Sequence, residues 1–552
     1  MSKERVFING KVFTGRGEDE FVSAFAVRDG KITRIGDVSD VRDAEVVDLE
    51  GRTVVPGFID AHTHPTYVAM TRNAVPCTVP VVSSITEMIE ALKRHPNYGK
   101  GDDLWIEGFG YDESKLAERR TPTTRDLDLV STTQPVYVMR SDCHSGVCNT
   151  RALELAGITR DTPDPEGGRF GRYEDGEPNG FLEEHAANDV VRFAMSSGSY
   201  EAKVRDLAWT GTHYHERGIV AVTELMGRRE PIDVLQHFRD AAGEGLTQQA
   251  GLYVMWPEKG TLRDLTEEER TGRVKIAGVK VFIDGTISAR TAWVNEPYRG
   301  TDEHGYPTID GEALEAAYEW AVRNRVQLSA HTMGDRAIEF VLDFFEDKEP
   351  WLGLDVPSVR LEHVTLLTPE QLERVREAKV RFGATMQVIF FFAEYESYAE
   401  NLTDDQFRRA YAVKDAAAAF PYFALSSDAP CTTWSDPDDI FVSIQAAVTR
   451  KAYNGADTVA EQAITVPQAV LLFTARAAEL VPFEGKLGQI APGYEASFVV
   501  LDRDVFTCPV DEIARTRVAE TWLRGERVYA LEDPTLWVQD SGDSARPTTV
   551  GC

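Results

Sequence analysis

The sequence predicts an α/β protein built on a (β/α)8 barrel of the TIM type, with a small β-sandwich from both chain ends and an insertion over the barrel mouth. Three observations support this prediction. Short apolar runs alternate with helical stretches through the middle of the chain. Several of these runs end in histidine or aspartate, and both chain ends alternate polar and apolar residues as antiparallel strands do.

The first predicted barrel strand lies in residues 54–65, VVPGFIDAHTHP, which carry two histidines two positions apart. Residues i and i+2 of an extended strand point to the same face, so His62 and His64 can both reach one metal ion. The alternative is a pair of surface histidines at a turn. Pro56 at the start of the run and Pro65 at its end favour a strand that ends in a metal site.

Seven further runs complete the predicted barrel. They are residues 218–224, 250–256, 275–280, 326–331, 358–363, 381–386 and 422–428. Helical patterns precede three of them, at residues 311–325, 369–378 and 403–419. Eight strand and helix units form a closed parallel barrel whose active site lies where the strands end.

Candidate metal ligands lie at the ends of these strands. His331 and His363 end the fifth and sixth strands, Asp428 ends the eighth, and Lys280 lies in the fourth. Imidazole and carboxylate bind zinc and similar divalent ions. An ammonium group would be repelled by a metal, so Lys280 can be a ligand only after reaction with carbon dioxide to give a carbamate. The alternative is a cationic Lys280 that pairs with Asp284 or Asp428.

These residues and several motifs resemble the amidohydrolase superfamily of metal-dependent hydrolases. The segments KVFIDGTISARTA, AHTMGDRAIE, LEHV, SSDAP and EQAITVPQA are similar to the branch that includes N-substituted formamide deformylase, and the resemblance extends to about residue 530. It implies two divalent ions, with zinc favoured over other metals. One ion would be bound by His62, His64 and Asp428 and the second by His331 and His363, with carboxylated Lys280 bridging them.

The function implied is hydrolysis of a C–N bond other than a peptide bond, in an amide or an N-substituted formamide. Two ions lower the pKa of a shared water and present hydroxide at neutral pH. Asp428 would take the proton during attack and pass it to the leaving nitrogen. Opening of a cyclic amide, deamination or decarboxylation on the same centre stays open, as does a non-catalytic barrel that binds a partner.

Other residues are candidates for contacts with the substrate. Asp335 either orients an imidazole or caps the following helix. Arg140 and His144 lie in the segment VMRSDCHSGVCNTRAL, which resembles a family feature, and His144 is expected to hold the substrate carbonyl or its developing oxyanion. Trp256, near the end of strand three, suggests an apolar substituent on the substrate, the alternative being that it packs the barrel rim.

The flanks and the insertion define the predicted domains. Residues 1–52 and 483–532 are expected to pair into one β-sandwich, and residues 53–482 to form the barrel. Residues 66–205 form a large insertion that shapes the pocket as a lid. Residues 533–552 form a polar tail.

Composition limits the partners. With 59 basic against 90 acidic residues the net charge is −31, which opposes binding to nucleic acid or to an anionic membrane. No secretory leader or membrane-spanning run is evident, and the six cysteines show no CxxC spacing. We therefore expect a cytoplasmic enzyme with a small-molecule amide substrate, and a homodimer is compatible with a barrel of this size.

Overall fold

Eight parallel strands form the centre of the molecule. The structure is a computed structural model that describes residues 3–141, 143, 145–165, 168–195, 199–227, 231–257 and 261–531. The barrel strands, in chain order, are Phe58–Thr63, Ile219–Gly227, Gln249–Met255, Val274–Phe282, Gln327–Thr332, Val359–His363, Gly383–Met386 and Tyr422–Leu425. Each pairs in parallel with its neighbour along the chain. The predicted eight-stranded parallel barrel is confirmed.

The first and eighth strands meet through the residues that follow strand eight. The backbone N–H of Asp428 donates to the carbonyl of His62 at 2.8 Å, and that of His64 donates to the carbonyl of Ala429 at 3.0 Å. The buried Asp60 accepts a further bond from the backbone N–H of Ser427 at 3.1 Å. These bonds close the ring at its carboxyl end.

Helices follow most of the barrel strands. The helices from the second strand onward are Pro231–Glu244, Gly311–Asn324, Asp335–Phe345, Pro369–Glu377, Val388–Ala393, Tyr395–Asn401, Asp404–Arg409, Val413–Ala419, Ile440–Thr449, Val466–Leu472 and Ala475–Leu480, with short 3-10 turns at Glu268–Arg270, Ala460–Gln462 and Val510–Arg515. Local sequence sets their starts, since Asp310 and the Thr368–Gln371 capping box satisfy free N–H groups. The single helix expected over residues 403–419 is two helices, because the chain turns at Tyr411, whose φ is +51°.

Two sheets built from the chain ends share a separate apolar core. The first has the strand order Lys31–Ile35, Phe25–Arg28, Arg5–Ile8, Glu45–Asp48, and the second Glu526–Ala530, Val518–Leu523, Phe498–Leu501, Thr53–Pro56, Lys11–Phe13, Phe21–Val22. Phe7, Phe25, Phe498 and Trp522 pack together between them. The second sheet therefore joins the two ends of the chain.

The first barrel strand, predicted to start at Pro56 and Gly57, starts slightly later in the chain. Residues 54–56 belong to the strand Thr53–Pro56, which pairs with Lys11–Phe13 and Phe498–Leu501 in the end sheet. The barrel strand starts only at Phe58. Gly57 separates the two, and a side chain there would collide with Val220 on the second barrel strand. The apolar run is continuous in sequence although it serves two sheets.

The insertion between the first two barrel strands has its own sheet and core. The sheet order is Arg169–Arg172, Pro178–Glu183, Gly146–Cys148, Val136–Arg140, Ile106–Tyr111 and Val75–Pro76. The helices of this region are Pro65–Thr71, Ile85–Leu92, Thr124–Leu127, Thr150–Leu155, Glu184–Met195 and Tyr200–Glu216. None of the helices in the described ranges combines the length and apolar character needed to cross a bilayer.

The buried side chain of Arg360 links three strands across the barrel interior. Arg360 on the sixth strand lies 3.0 Å from Glu362 and donates to the hydroxyl of Tyr253 on the third strand at 2.7 Å. It also donates to the carbonyl of Ala61 on the first strand at 2.7 Å. These strands are not neighbours in the sheet, so the guanidinium ties them together through the interior.

Replacement of Arg360 by alanine is expected to destabilise the barrel by about 3–5 kcal/mol, because it leaves the buried carboxylate of Glu362 without its cation. Chemical denaturation measures the change in the free energy of unfolding. Arg408→Ala is the matched control, since that side chain is 68% exposed. A loss in Arg360→Ala no larger than that of the control would contradict a structural role for the interior pair.

Candidate metal centre

The six predicted metal ligands surround one cavity at the carboxyl end of the barrel. Its lining includes His62, His64, Lys280, His331, His363 and Asp428. These residues come from the first, fourth, fifth and sixth strands and from the segments that follow the first and the eighth, and all six are buried. Residues that lie hundreds of positions apart in the sequence are therefore brought to one point.

Three of the six form a compact ligand cluster. The potential ligand atoms of His62, His64 and Asp428 all lie within 4.8 Å of one another. Asp428 Oδ1 is 2.7 Å from His64 Nε2 and 3.4 Å from His62 Nε2. The two histidines are the i and i+2 pair at the end of the first strand, where His64 directly follows Thr63, so the same-face argument from the sequence agrees with the geometry.

Both histidines of this cluster are oriented by buried glutamates. His62 Nδ1 donates to Glu362 Oε2 at 2.7 Å, and His64 Nδ1 lies 3.2 Å from Glu224 Oε1. Each contact occupies the nitrogen that faces away from Asp428. The Nε2 atoms therefore point into the cluster, which is the arrangement in which a carboxylate orients a metal-binding imidazole.

The other two histidines are held in the same manner by neutral acceptors. His363 Nδ1 donates to the side-chain oxygen of Gln387 at 2.7 Å, and His331 Nε2 donates to the carbonyl of Gly285 at 3.0 Å. Their ring centroids are 4.4 Å apart, and that of His363 is 4.9 Å from that of His62. The other nitrogen of each ring is available to bind a metal ion.

Two of the six residues have left-handed backbone conformations. His363 has φ 75° and Asp428 has φ 57°, values that are uncommon for residues other than glycine. In a regular strand Glu362 and His363 would point to opposite faces. The turn at His363 lets both approach His62, so local backbone strain accompanies the convergence of the site.

Lys280 is a buried amine without a hydrogen-bond partner among the described residues. It is 1% exposed, and its Nζ lies 5.2 Å from the centre of the Phe282 ring. Burial lowers its pKa to about 8, although the charges of Glu362 and Asp428 oppose this effect. The alternative of an ion pair with Asp284 is not supported, since Asp284 accepts backbone bonds from Met333, Gly334 and Trp293.

Burial and neighbouring charge set the protonation of the cluster. Burial lowers the pKa of His331 to about 3 and also lowers that of His62, which favours neutral imidazoles. Burial likewise disfavours the charged form of His64, but Asp428 and Glu224 on either side raise its pKa to about 9. Burial alone would raise the pKa of Asp428, and its interactions with His62 and His64 lower it overall. A divalent ion would compete with a proton for the atoms between His64 and Asp428.

The remaining wall of the cavity is largely apolar. Its other residues are Ser141, Met226, Phe282, Thr286, Ser288, Met333, Phe390, Glu394, Tyr398 and Cys431. Phe282 stacks on His331 with centroids 5.0 Å apart, and Phe390 stacks on His363 at 6.0 Å. Burial raises the pKa of Glu394 to about 7, so the wall carries little fixed charge beyond the ligand cluster.

Three residues predicted to bind substrate face other partners, and within the described ranges they do not line the cavity. Asp335 accepts from the backbone N–H of Asn295 at 2.8 Å and lies 3.3 Å from Arg409. It is the first residue of its helix, whose N-cap is Gly334, so it neither orients His331 nor serves as the cap.

The other two predicted substrate contacts also have partners away from the cavity. Arg140 lies 3.0 Å from both Asp112 and Glu113 within the insertion. Trp256 packs against the barrel core while its backbone N–H donates to the carbonyl of Lys280 at 2.8 Å, which is the rim-packing alternative. His144, expected to contact the substrate carbonyl, lies outside the described residues.

The sequence did not reveal the groups that orient the imidazoles. Glu224 and Glu362 are polar residues at the ends of apolar strands, which is the signal that could have identified them. Glu362 lies 300 positions from His62, and Gln387 lies 24 positions from His363. Their pairing depends on the closed barrel.

Comparison with known proteins agrees with this architecture. The sequence pattern of the amidohydrolase family matches residues 45–529. N-substituted formamide deformylase of Arthrobacter pascens is 28% identical, covering 96% of this chain and 98% of its own length. A putative amidohydrolase of Bacillus subtilis (strain 168) is 26% identical, with 95% and 99% covered.

A solved structure is also similar. The crystal structure of an uncharacterized metal-dependent hydrolase from Pyrococcus horikoshii OT3 superposes with a TM-score of 0.71 at 25% identity, covering 92% of this chain and 99% of that one. The family resemblance predicted from the motifs is thereby confirmed. The match over most of its length shows that this chain belongs to the amidohydrolase family of metal-dependent hydrolases.

Proposed function

We propose that the protein hydrolyses a C–N bond other than a peptide bond in a small amide, with N-substituted formamides as its substrate class, and that two divalent ions act in the cavity. The observation that carries this proposal is the meeting of four imidazoles, one carboxylate and one amine around a single cavity, the amine having no hydrogen-bond partner among the described residues. Neutral imidazole and carboxylate suit zinc and similar ions.

The donor set divides into two parts. His62, His64 and Asp428 form the compact cluster and would hold one ion. His331 and His363, whose rings are in contact, would contribute to a second. The contacts of all four rings with Glu362, Glu224, Gly285 and Gln387 leave one nitrogen of each ring facing the site, which supports their role as ligands.

Lys280 would complete the pair of sites as a carbamate. Its amine is buried beside the ligand cluster without a hydrogen-bond partner in the described part of the chain, which is costly for a cation. Reaction of the neutral amine with carbon dioxide forms an N–C bond and releases one proton, giving an anion with two oxygens. Such an anion is suited to bridge two ions. Carboxylation would therefore give binding partners to a buried group that has none among the described residues.

Bound divalent ions would supply a nucleophile at neutral pH by lowering the pKa of a water, and would polarise the substrate carbonyl. Asp428 is the residue placed to handle the proton. Its carboxylate is kept ionised by the neighbouring imidazoles, and its side chain faces the cavity. It would take a proton from the attacking water and deliver it to the leaving nitrogen.

The apolar wall of the cavity supports a small amide with an apolar substituent. Phe282, Met226, Met333 and Phe390 supply apolar surface beside the ligand cluster. The similar Arthrobacter pascens protein bears the name N-substituted formamide deformylase, which selects formamides as the first class to test.

Substrate turnover distinguishes this proposal from the alternative reactions, which are opening of a cyclic amide, deamination and decarboxylation. We expect N-butylformamide and formanilide to release formate and an amine, and the corresponding acetamides to react more slowly. A cyclic amide that opens without loss of a fragment, an amine that releases ammonia, or an acid that releases carbon dioxide would each identify one of the alternatives. Turnover of one of these in place of the formamides would overturn the substrate class.

Replacement of Glu362 by glutamine is expected to weaken metal binding by about 10- to 100-fold, because the amide orients His62 less well and leaves the ring less basic. Glu224→Gln should act in the same direction through His64. Metal titration with a competing chelator measures the affinity. The matched control is Glu373→Gln, whose side chain is 67% exposed. Unchanged affinity in both buried variants, with the fold retained by thermal melting, would contradict the orientation role.

Lys280→Ala is expected to lower the number of bound ions and to reduce kcat/KM by about 100-fold or more, because it removes the bridging anion. Added short-chain carboxylate should restore part of the activity. Lys275→Ala is the control on the same strand, five positions earlier and therefore on the opposite face. Full metal content and activity in Lys280→Ala would show that no carbamate is needed.

Asp428→Asn is expected to lose more activity than metal. The amide oxygen can still bind an ion, but it cannot accept and return a proton, so kcat should fall by about 10²- to 10⁴-fold. Steady-state kinetics and metal content are compared in the same preparation. Asp436→Asn, on the same loop and 55% exposed, is the control. Equal losses of metal and activity in Asp428→Asn would limit this residue to metal binding.

A further inference from the structure

Two cysteine side chains meet where the insertion contacts the barrel. The Sγ atoms of Cys143 and Cys431 are 3.1 Å apart, although the residues are separated by 288 positions. Cys143 lies between the insertion strands Val136–Arg140 and Gly146–Cys148, and Cys431 lies three residues after Asp428. The contact therefore joins the insertion to the segment that carries a candidate metal ligand.

One of these thiols can be reached from the cavity. Cys431 lines the cavity wall and is partly exposed, whereas Cys143 behind it is only 1% exposed. A small oxidant that enters the cavity would meet Cys431 first. Cys143 is then in position to react with the product.

The backbone on both sides holds the two thiols together. Cys143 has a φ of 59°, which is an uncommon backbone conformation for a residue other than glycine. The backbone N–H of Cys431 donates to the carbonyl of Asp428 at 2.8 Å, which anchors the other partner to the end of the eighth strand. A disulfide has an S–S length of about 2.05 Å, so bond formation requires an approach of only about 1 Å.

Other cysteines of the chain have different surroundings and serve as internal controls. Burial raises the pKa of the Cys148 and Cys77 thiols, the latter to about 12. Such thiols are unreactive because the thiolate is the nucleophile. Cys148 is close in sequence to Cys143, so it tests whether proximity along the chain or the contact across the interface directs the reaction.

We propose that Cys143 and Cys431 form a reversible disulfide site that links the insertion to the segment after the eighth barrel strand, with a hydroperoxide as oxidant. The sulfur of Cys431 attacks one peroxide oxygen, the O–O bond breaks, and a sulfenic acid and one water form when hydrogen peroxide is used. The sulfur of Cys143 then attacks the sulfenic sulfur, the S–O bond breaks, and a second water leaves. The two thiols lose two electrons and the peroxide gains them.

Peptide mapping of the full-length, metal-loaded protein tests this proposal. The protein is treated with hydrogen peroxide, unfolded, alkylated and digested with trypsin. We expect the peptide of residues 141–151 to be linked to the one that contains Cys431, lighter than the two separate peptides by two hydrogen atoms, with Cys148 alkylated. Dithiothreitol should return both peptides. Cys148→Ser should still form the link, whereas Cys143→Ser and Cys431→Ser should not.

A second measurement reports the bond in the folded protein. Oxidised wild-type protein should melt at a higher temperature than reduced protein, because the bond closes a long loop of the unfolded chain. Cys143→Ser should show no such increase. Complete alkylation of both cysteines after peroxide treatment, a link through Cys148, or oxidation that dithiothreitol does not reverse would overturn the proposal. Differential alkylation of the wild-type protein gives this answer even if a serine variant fails to fold.

Discussion

The hydrogen bond from the backbone N–H of Asp428 to the carbonyl of His62 is the contact on which the site depends. It joins the end of the eighth strand to the first, so the barrel closes at its carboxyl end. It also sets a carboxylate beside two imidazoles that precede it by more than 360 positions in the sequence. The same closure lets Glu362 on the sixth strand reach His62 across the interior. Closure of the barrel therefore also assembles the ligand cluster.

The barrel interior is charged where it supports this cluster. Arg360 neutralises Glu362, and Glu362 in turn accepts the proton of His62 Nδ1. The charge of Arg360 holds the pKa of Glu362 well below its usual range despite burial, which alone would raise it. A chain of contacts thus runs from the barrel interior to the cavity. Unpaired buried charges are costly, so each member of the chain is needed to keep the others ionised and oriented.

Much of the fold and the convergence of the candidate ligands could be predicted from the sequence, because histidines and an aspartate end several of its short apolar runs. His62 and His64 follow from the two-residue repeat of a strand. The orienting groups could not be predicted in this manner, since the pairing of His62 with Glu362 exists only in the closed barrel. The left-handed backbone conformations at His363 and Asp428 could not be predicted either, because neither position carries the glycine or asparagine that usually marks this conformation. Asp335 and Trp256 follow barrel strands closely in the sequence, but their side chains point to other partners.

The number of divalent ions in active wild-type protein tests the central claim most directly. Plasma mass spectrometry of protein purified without added chelator, with formamide turnover measured in the same sample, gives the ratio of ions to chains. The convergence of the six residues predicts about two ions per active chain. An active preparation with no bound divalent ion, and no loss of turnover after treatment with a chelator, would contradict the account.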